Sequence, residues 1–561
     1  MIDPVQSPQS PVQLPTEVPQ TPDPEQAAQD LLEVGSQWGT DDYDARVRAF
    51  GEAIQEGDAD YRQALVAEIL RQDPNAFNSW MSPTRINAQV DAGQVSQSAR
   101  GDMAEAIAAA YNAGQIPSQD IVGPDGEVIG TSSALDTYLH NPDSTSTDGV
   151  DQQVEHARNM REFAEFFGGP HYSSDISSFR ETYSQHLITD YALNDQLEDG
   201  ALRDNAAGLA AIVLTGDPTR GDIAADVLAG LDQGQLQSLM ERVARAGDSI
   251  SPNHLEGLVE HSTVAYRDGL TAADISIPDL FSSLVAQVSR VDTAESREAA
   301  AMLARVPASS GDIFSDRHTG NVQERVDAMG LLFVSHSEPM LESLTDFDTT
   351  RIGSKDDADV KQYMQDASDL GALFNVVLFD GDQTYQGSAR AAVLEYAEGL
   401  KSQINTAEGD ADAMGRLSML MGGADDAITQ GFNELKARED AQTEMVSFIA
   451  DLALAGIPVG DKAKDAVSGM IGELFSSPQV TEALKGVSGS IIDSTTGYLT
   501  DEAKQALTGA LGEDETELLD QQGASNALRE ALLTGISNER DLAAIENYAE
   551  DVSQGINLWR K

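Results

Sequence analysis

The chain has 561 residues, no cysteine, and 94 Asp and Glu against 35 Lys and Arg, a formal net charge of −59. Such a surface repels nucleic acid and anionic membrane, whose phosphates need clustered Lys and Arg. The missing cysteine excludes disulfides, thiolate zinc sites, iron–sulfur clusters and cysteine nucleophiles. With 40% hydrophobic and 23% charged residues, the composition is that of a folded protein rather than a disordered one, with length for about three to four domains. The dominance of Asp, Glu and Arg also suits a salt-adapted organism that keeps an acidic hydration surface.

Residues 1–24 carry Pro4, Pro8, Pro11, Pro15, Pro19, Pro22 and Pro24. Proline removes the backbone donor and fixes φ, so the sequence predicts a disordered, polyproline-like tail that serves as a tether or docking arm. The first twenty residues have neither a basic n-region nor an apolar h-region, so a Sec-type signal peptide is not expected and export would need a specialised machine.

From Glu25 the pattern turns helical. In DADYRQALVAEILRQDP, Asp60 is the expected N-cap, Tyr61, Leu65, Val66, Ile69 and Leu70 form one apolar face, and Pro74 stops the helix. The passage from Ile116 to Asp151 breaks the pattern, and a Pro-Asp-Gly turn between IVG and EVIG predicts a short β-hairpin. Farther on, LDQGQLQSLMERVARAGD places Asp232 as a cap, lines Leu236, Leu239, Met240 and Val243 on one face and ends at Gly247. Strand signals are otherwise scarce. The expected architecture is all-α, a multi-helix bundle of two or three packed units: an N-terminal helical domain over 25–115, a loop or hairpin over 116–151, a central helical domain over 152–422 and an Ala/Gly-rich C-terminal domain over 423–561.

Two histidine-bearing helices supply the candidate catalytic residues. SFRETYSQHLITDYAL sets Tyr183, His186 and Asp190 at i, i+3 and i+7, so an acid can orient an imidazole on one helix face. NHLEGLVEHS carries His254 and His261, with Glu256 and Glu260, at a spacing of seven rather than the i, i+4 of a zinc helix. His140, His156, His171, His318 and His336 do not cluster in sequence. No GxSxG elbow, Walker A loop, GxGxxG or HExxH is present, and the acidic loops from Asp346 and Asp380 miss the EF-hand template. No cofactor or metal is assigned.

The most apolar passage runs from Met445 to Phe475, two arms around the turn IPVGDK. It reads as a buried helical hairpin; each arm is too short to span about 30 Å of hydrocarbon at 1.5 Å per residue.

RQALVAEILRQDPNAFNSW (Arg62 to Trp80), AAAYNAG (Ala108 to Gly114) and GLLFVSHSEPMLESLTD (Gly330 to Asp346) resemble the long helical N-terminal regions of bacterial polymorphic toxins and other specialised-secretion effectors, over about the first 440 residues. That resemblance implies a secreted effector or toxin-like protein made in the bacterial cytoplasm, whose helical body mediates delivery and recognition of a protein partner: secretion apparatus, chaperone or target. The family usually appends a toxin domain; here the last helix, ISNERDLAAIENYAEDVSQGINLWRK, carries no nuclease, deaminase or protease signature, and no enzymatic activity is assigned. The alternatives are an assembly protein of a phage particle or contractile injection device, and a membrane-active helical toxin using residues 445–475.

Overall fold

The computed structural model describes residues 23–34, 42–123, 125–136, 139, 149–168, 173–314, 321–346, 357–380, 383–406, 410–435, 439–454, 464–475, 477–492, 499–515 and 521–559. The proline-rich tail, apart from its last two residues, lies outside them. So do residues 347–356 of the first acidic loop, 381–382 of the second, His140, His171, His318 and the turn expected at IPVGDK; residues 383–387 of the second loop open a helix. Among the described residues the fold is all-α with one β-hairpin, and the chain divides into two compact units. One comprises Met1–Gln119, Ser132–Tyr138 and His171–Phe179; the other comprises Asp120–Thr131, Leu139–Pro170 and Arg180–Lys561.

The first unit is built on α1 (Pro24–Glu33), α2 (Tyr43–Glu56), α3 (Ala59–Gln72), α4 (Pro83–Asp91) and α5 (Gln97–Asn112). Helix α3 buries Tyr61, Leu65, Val66, Ile69 and Leu70, the five residues its 3.6-residue period selects. Its cap is Asp58, not Asp60: Asp58 is extended and its carboxylate accepts the Tyr61 N–H, while Asp60 sits in the first turn, where its charge favours the helix N-terminus. The core between these helices is aromatic at its centre, with Phe50 edge-on to Trp80 at 5.9 Å and both fully buried.

The hairpin forms where Gly126 can turn. Strands β1 (Ser118–Val122) and β2 (Val128–Ser133) pair, and Gly126 has a positive φ of 79° that few other residues adopt without strain.

The larger unit continues through α6 (Gly149–Phe167), the end of α7 (Ser174–His186), a π-turn over Leu187–Ala192, α8 (Gly200–Thr215), α9 (Gly221–Ala229), α10 (Gln233–Ser249), α11 (Pro252–His261), α12 (Thr263–Asp268), α13 (Ala272–Ile275), α14 (Leu280–Ser289), α15 (Ala294–Leu303), α16 (Val306–Ser309) and α17 (Val322–Thr345). Helix α8 is Ala-, Leu- and Gly-rich on every face and is buried from Ala206 to Leu214 between α10, α14 and the π-turn. Helix α10 is capped by Asp232 in a reciprocal box with Gln235, and buries Leu236, Leu239, Met240 and Val243. It does not end at Gly247. A Cβ there would stand 3.1 Å from Asp279 Oδ2 and 3.3 Å from the Leu280 backbone nitrogen, so this glycine admits the start of α14 and the helix runs on to Ser249. Helix α17 contains Pro339 and kinks at His336, whose φ of −134° and ψ of 34° are non-helical. The buried His336 ring meets the Val288 carbonyl at 3.2 Å.

The remaining helices are α18 (Asp357–Phe374), α19 (Gln383–Ile404), α20 (Ala411–Leu435), α21 (Glu439–Leu454), α22 (Lys464–Leu474), α23 (Pro478–Gly486), α24 (Asp501–Glu515), α25 (Gln521–Leu533) and α26 (Glu539–Trp559). The boundary expected at 422/423 falls inside α20. Its glycines serve a close crossing instead: a Cβ on Gly423 would come within 2.6 Å of Leu370, and one on Gly371 within 3.0 Å of the Gly423 carbonyl, so bare backbones let α18 and α20 touch. Helix α21 is buried on all sides from Val446 to Leu454 and packs on α24 and α25. Val446, Ala450 and Leu454 share a core with Val467 and Ile471 of α22 and with Val480 and Leu484 of α23. No helix among the described residues is long and apolar enough to cross a membrane.

Candidate functional site

The histidine on α7 acquires a carboxylate partner, but the pair fastens the hairpin. As α7 passes into the π-turn, Asp190 comes one turn below His186, and its Oδ2 lies 3.0 Å from His186 Nδ1. The same oxygen accepts the Thr131 backbone N–H at 3.1 Å and the Thr131 hydroxyl at 2.9 Å. Asn194 donates to the Ile129 carbonyl at 2.8 Å, completing the attachment of β2. Tyr183 stacks on the imidazole at 6.0 Å and Tyr191 meets it edge-on at 5.7 Å. The spacing therefore located a real His–Asp pair, and the partner it missed is Thr131, 59 residues earlier.

His254 and His261 are not brought together. Both stay on α11, two turns or about 10 Å apart along the axis. His261 is exposed and its Nδ1 is 2.8 Å from the Gly257 carbonyl of its own helix, while His254 is half-buried. Among the described residues no group of three or more His, Asp or Glu is arranged to hold a metal ion. His156 is neutral at physiological pH: burial pushes its imidazole down to about 4, against the opposing hydrogen bond with Asn205.

What sequence spacing could not show is where the scarce cations go. Arg325 is fully buried, and its guanidinium donates to Asp279 Oδ2 (2.9 and 3.1 Å), to Asp248 Oδ1 (2.6 Å) and to the Ala244 carbonyl (3.1 Å). Burial opposes its charge, but the bonds and fields of Asp279 and Asp248 outweigh burial and raise its pKa. Arg180 lies 3.3 Å from Asp217 in the interior. Arg305 spans Asp366 and Asp369 of α18; burial nevertheless pushes both carboxyls up, Asp369 to about 6. Lys401 is buried and donates to the Leu452 and Ala531 carbonyls, both at 3.2 Å, near the C-terminal ends of α21 and α25. Burial draws it down to about 7. Asp451, buried in α21, accepts the Leu499 N–H at 2.9 Å and faces Lys504 at 3.6 Å, and burial lifts it to about 6.

Nearer the surface the same pattern holds. Arg62 pairs with Asp102 (2.6 Å), Arg158 with Asp268 (2.9 Å), Arg242 and Arg245 both with Asp204 (2.8 and 3.0 Å), and Arg416 with Glu342 (3.3 Å). Arg46 and Arg390 are bound to the Val34 and Leu378 carbonyls. Among the described residues, then, several cations are committed to interior partners, while others, such as Arg71, Arg267 and Arg297, pair with carboxylates at the exposed surface.

Two of the clefts on the larger unit are lined by described residues. One, of about 390 Å³, lies between α17, α19 and α20 and includes Glu338, Glu342, Tyr396 and Arg416. The other, of about 860 Å³, lies among α11, α13 and the starts of α14 and α17. Neither is lined by His186, Asp190, His254 or His261.

No family model matches the chain, and no curated protein matches it. One solved structure, titled "Structure of the Pds5-Scc1 complex and implications for cohesin function", aligns at 9% identity over 91% of this chain and 93% of that one, with a TM-score of 0.13. A superposition that poor carries no argument about fold, partner or activity.

Proposed function

We propose that this protein is a non-catalytic recognition protein, an acidic helical body that binds a basic protein surface, in the setting of a bacterial effector delivered by a specialised secretion system. One observation supports the recognition reading above the others. Several of the cations, Arg305, Arg325 and Lys401 among them, are spent on internal ion pairs and helix carbonyls, so with 94 acids against 35 bases the net outward field is negative. Such a field steers basic partners and repels phosphate polymers. The delivery part of the reading rests on the resemblance of the helical phrases between Arg62 and Asp346 to secreted effectors.

The binding test is retention of defined basic and acidic proteins on the immobilised full-length chain at 50 and 300 mM salt. Selective retention of basic proteins that falls with salt is the expected result; equal retention of both classes overturns it. Delivery is tested by following tagged chain into the medium of bacteria with and without an intact secretion apparatus. Growth after expression in cytosol and in periplasm separates a recognition protein, which leaves viability unchanged, from an intrinsic toxin.

A further inference from the structure

The 860 Å³ cleft has an apolar floor under an acidic rim. Glu256, Val259 and Glu260 recur at helical spacing along one face of α11. Across from them stand Leu270, Ile277 and, in the first turn of α17, Glu324. Glu256, Glu260 and Glu324 are exposed, and among the described residues none of the three is ion-paired. The cation on the lining, Arg161, is occupied: its guanidinium donates to the Ser276 carbonyl at 2.9 Å and lies in the field of Asp274. Asp279, at the floor, is spent on Arg325 and on capping α14 through the Ser282 N–H. The three glutamates are thus the groups left to meet a ligand, around a surface that gains from covering.

Charge and shape select the occupant. A lysine or arginine buries an aliphatic stem while its head remains in polar surroundings, which matches an apolar floor under a carboxylate rim. The volume is within the range of built ligand pockets and exceeds what one side chain fills. We infer that this cleft is the docking site for a short segment of a partner protein in which basic residues alternate with apolar ones. The inference rests on the reading of the protein as an acidic recognition body and gives that reading an address. Glu256 and Glu260, one turn apart on a rigid helix, receive the basic side chains, Glu324 closes the opposite rim, and Val259, Leu270 and Ile277 take the apolar ones.

The test uses the full chain and a labelled Lys-Leu-Arg-Leu-Lys peptide at 150 mM salt, read by fluorescence polarisation. The double charge reversal Glu256→Lys/Glu260→Lys should weaken binding at least about tenfold, because it removes two charge-assisted contacts and sets two like charges against the basic peptide. Asp465→Lys/Glu473→Lys, the same change in net charge on the exposed face of α22, should weaken it less than twofold. Replacing both leucines of the peptide by glycine should also weaken binding to the unaltered chain severalfold. Equal losses in the two charge reversals, or indifference to the leucines, overturn the cleft while leaving acidic recognition standing. Failure of the unaltered chain to bind either the peptide or basic proteins overturns both. Circular dichroism of each variant establishes that the helices are intact.

Discussion

Arg325 and Lys401 are both buried cations of the larger unit, yet they are stabilised in different ways. Arg325 has two carboxylates, Asp279 and Asp248, converging on its planar fork from α14 and α10, so full opposite charges compensate it. Lys401 donates to the Leu452 and Ala531 carbonyls near two helix C-termini, and the field of Glu398, one turn earlier on its own helix, is too weak to offset burial. The first arrangement locks α10, α14 and α17 together; the second leaves α19, α21 and α25 sensitive to protons. The buried carboxylates extend the contrast. Asp279 meets a guanidinium and a helix N-terminus, whereas Asp366 and Asp369 share one arginine and Asp451 faces a lysine at 3.6 Å. Compensation shared or held at a distance does not repay burial.

The largest effect should come from Arg325→Met. It strands Asp279 and Asp248 in the interior and should cost about 3–5 kcal/mol in urea unfolding at neutral pH, a loss that shrinks as pH falls and the uncompensated carboxyls protonate. A loss under 1 kcal/mol would break the distinction drawn here.

Lys401 sharpens it from the other side. Its folded value near 7 lies below the ordinary lysine range, so between about pH 7 and 10 the unfolded chain holds a proton the folded chain has released, and stability rises with pH by up to about 4 kcal/mol. Lys401→Met should abolish that rise, measured as urea midpoints across the interval.

Asp369 and Asp451 carry the opposite sign. With folded values of about 6, they contribute stability that is full below about pH 4 and is lost as pH rises through 6. The chain should therefore be more stable near pH 5 than near pH 7.5. Asp369→Asn and Asp451→Asn should each flatten that slope by about 1–3 kcal/mol. Below pH 4 the trend should reverse, because Glu68, held down to about 2 by its hydrogen bond with Arg71, and Asp151, held below the usual range by Thr263 and Ser262, then lose their charge.

The smallest effect belongs to an exposed carboxylate with a local role. Asp232→Ala removes the cap of α10 and should cost about 1 kcal/mol in urea unfolding.

Much of the fold was legible because helices announce themselves locally. The faces of α3 and α10 follow from the recurrence of Leu65, Ile69, Leu236 and Leu239, and the hairpin follows from a Pro-Asp-Gly turn. At two glycines where the reading slipped, a packing reason replaced a local one. Gly247 and Gly423 look like helix punctuation, but each is a point where another backbone arrives. Of the candidate sites, His186 with Asp190 was legible from spacing on one helix, while the hold on Thr131 was not. His254 and His261 were named for their residue type, and the helix keeps them apart.

The sequence by itself determined that this protein is helical, cysteine-free and strongly acidic, because residue types and a 3.6-residue period are local properties of the chain. Only the tertiary structure decided which of 94 chemically similar carboxylates became partners for the few cations. Arg325 finds Asp279 across 46 residues and Asp248 across 77, and Lys401 finds the Ala531 carbonyl across 130. Packing of helix faces brings these groups together and removes the water between them, and no local pattern encodes either event.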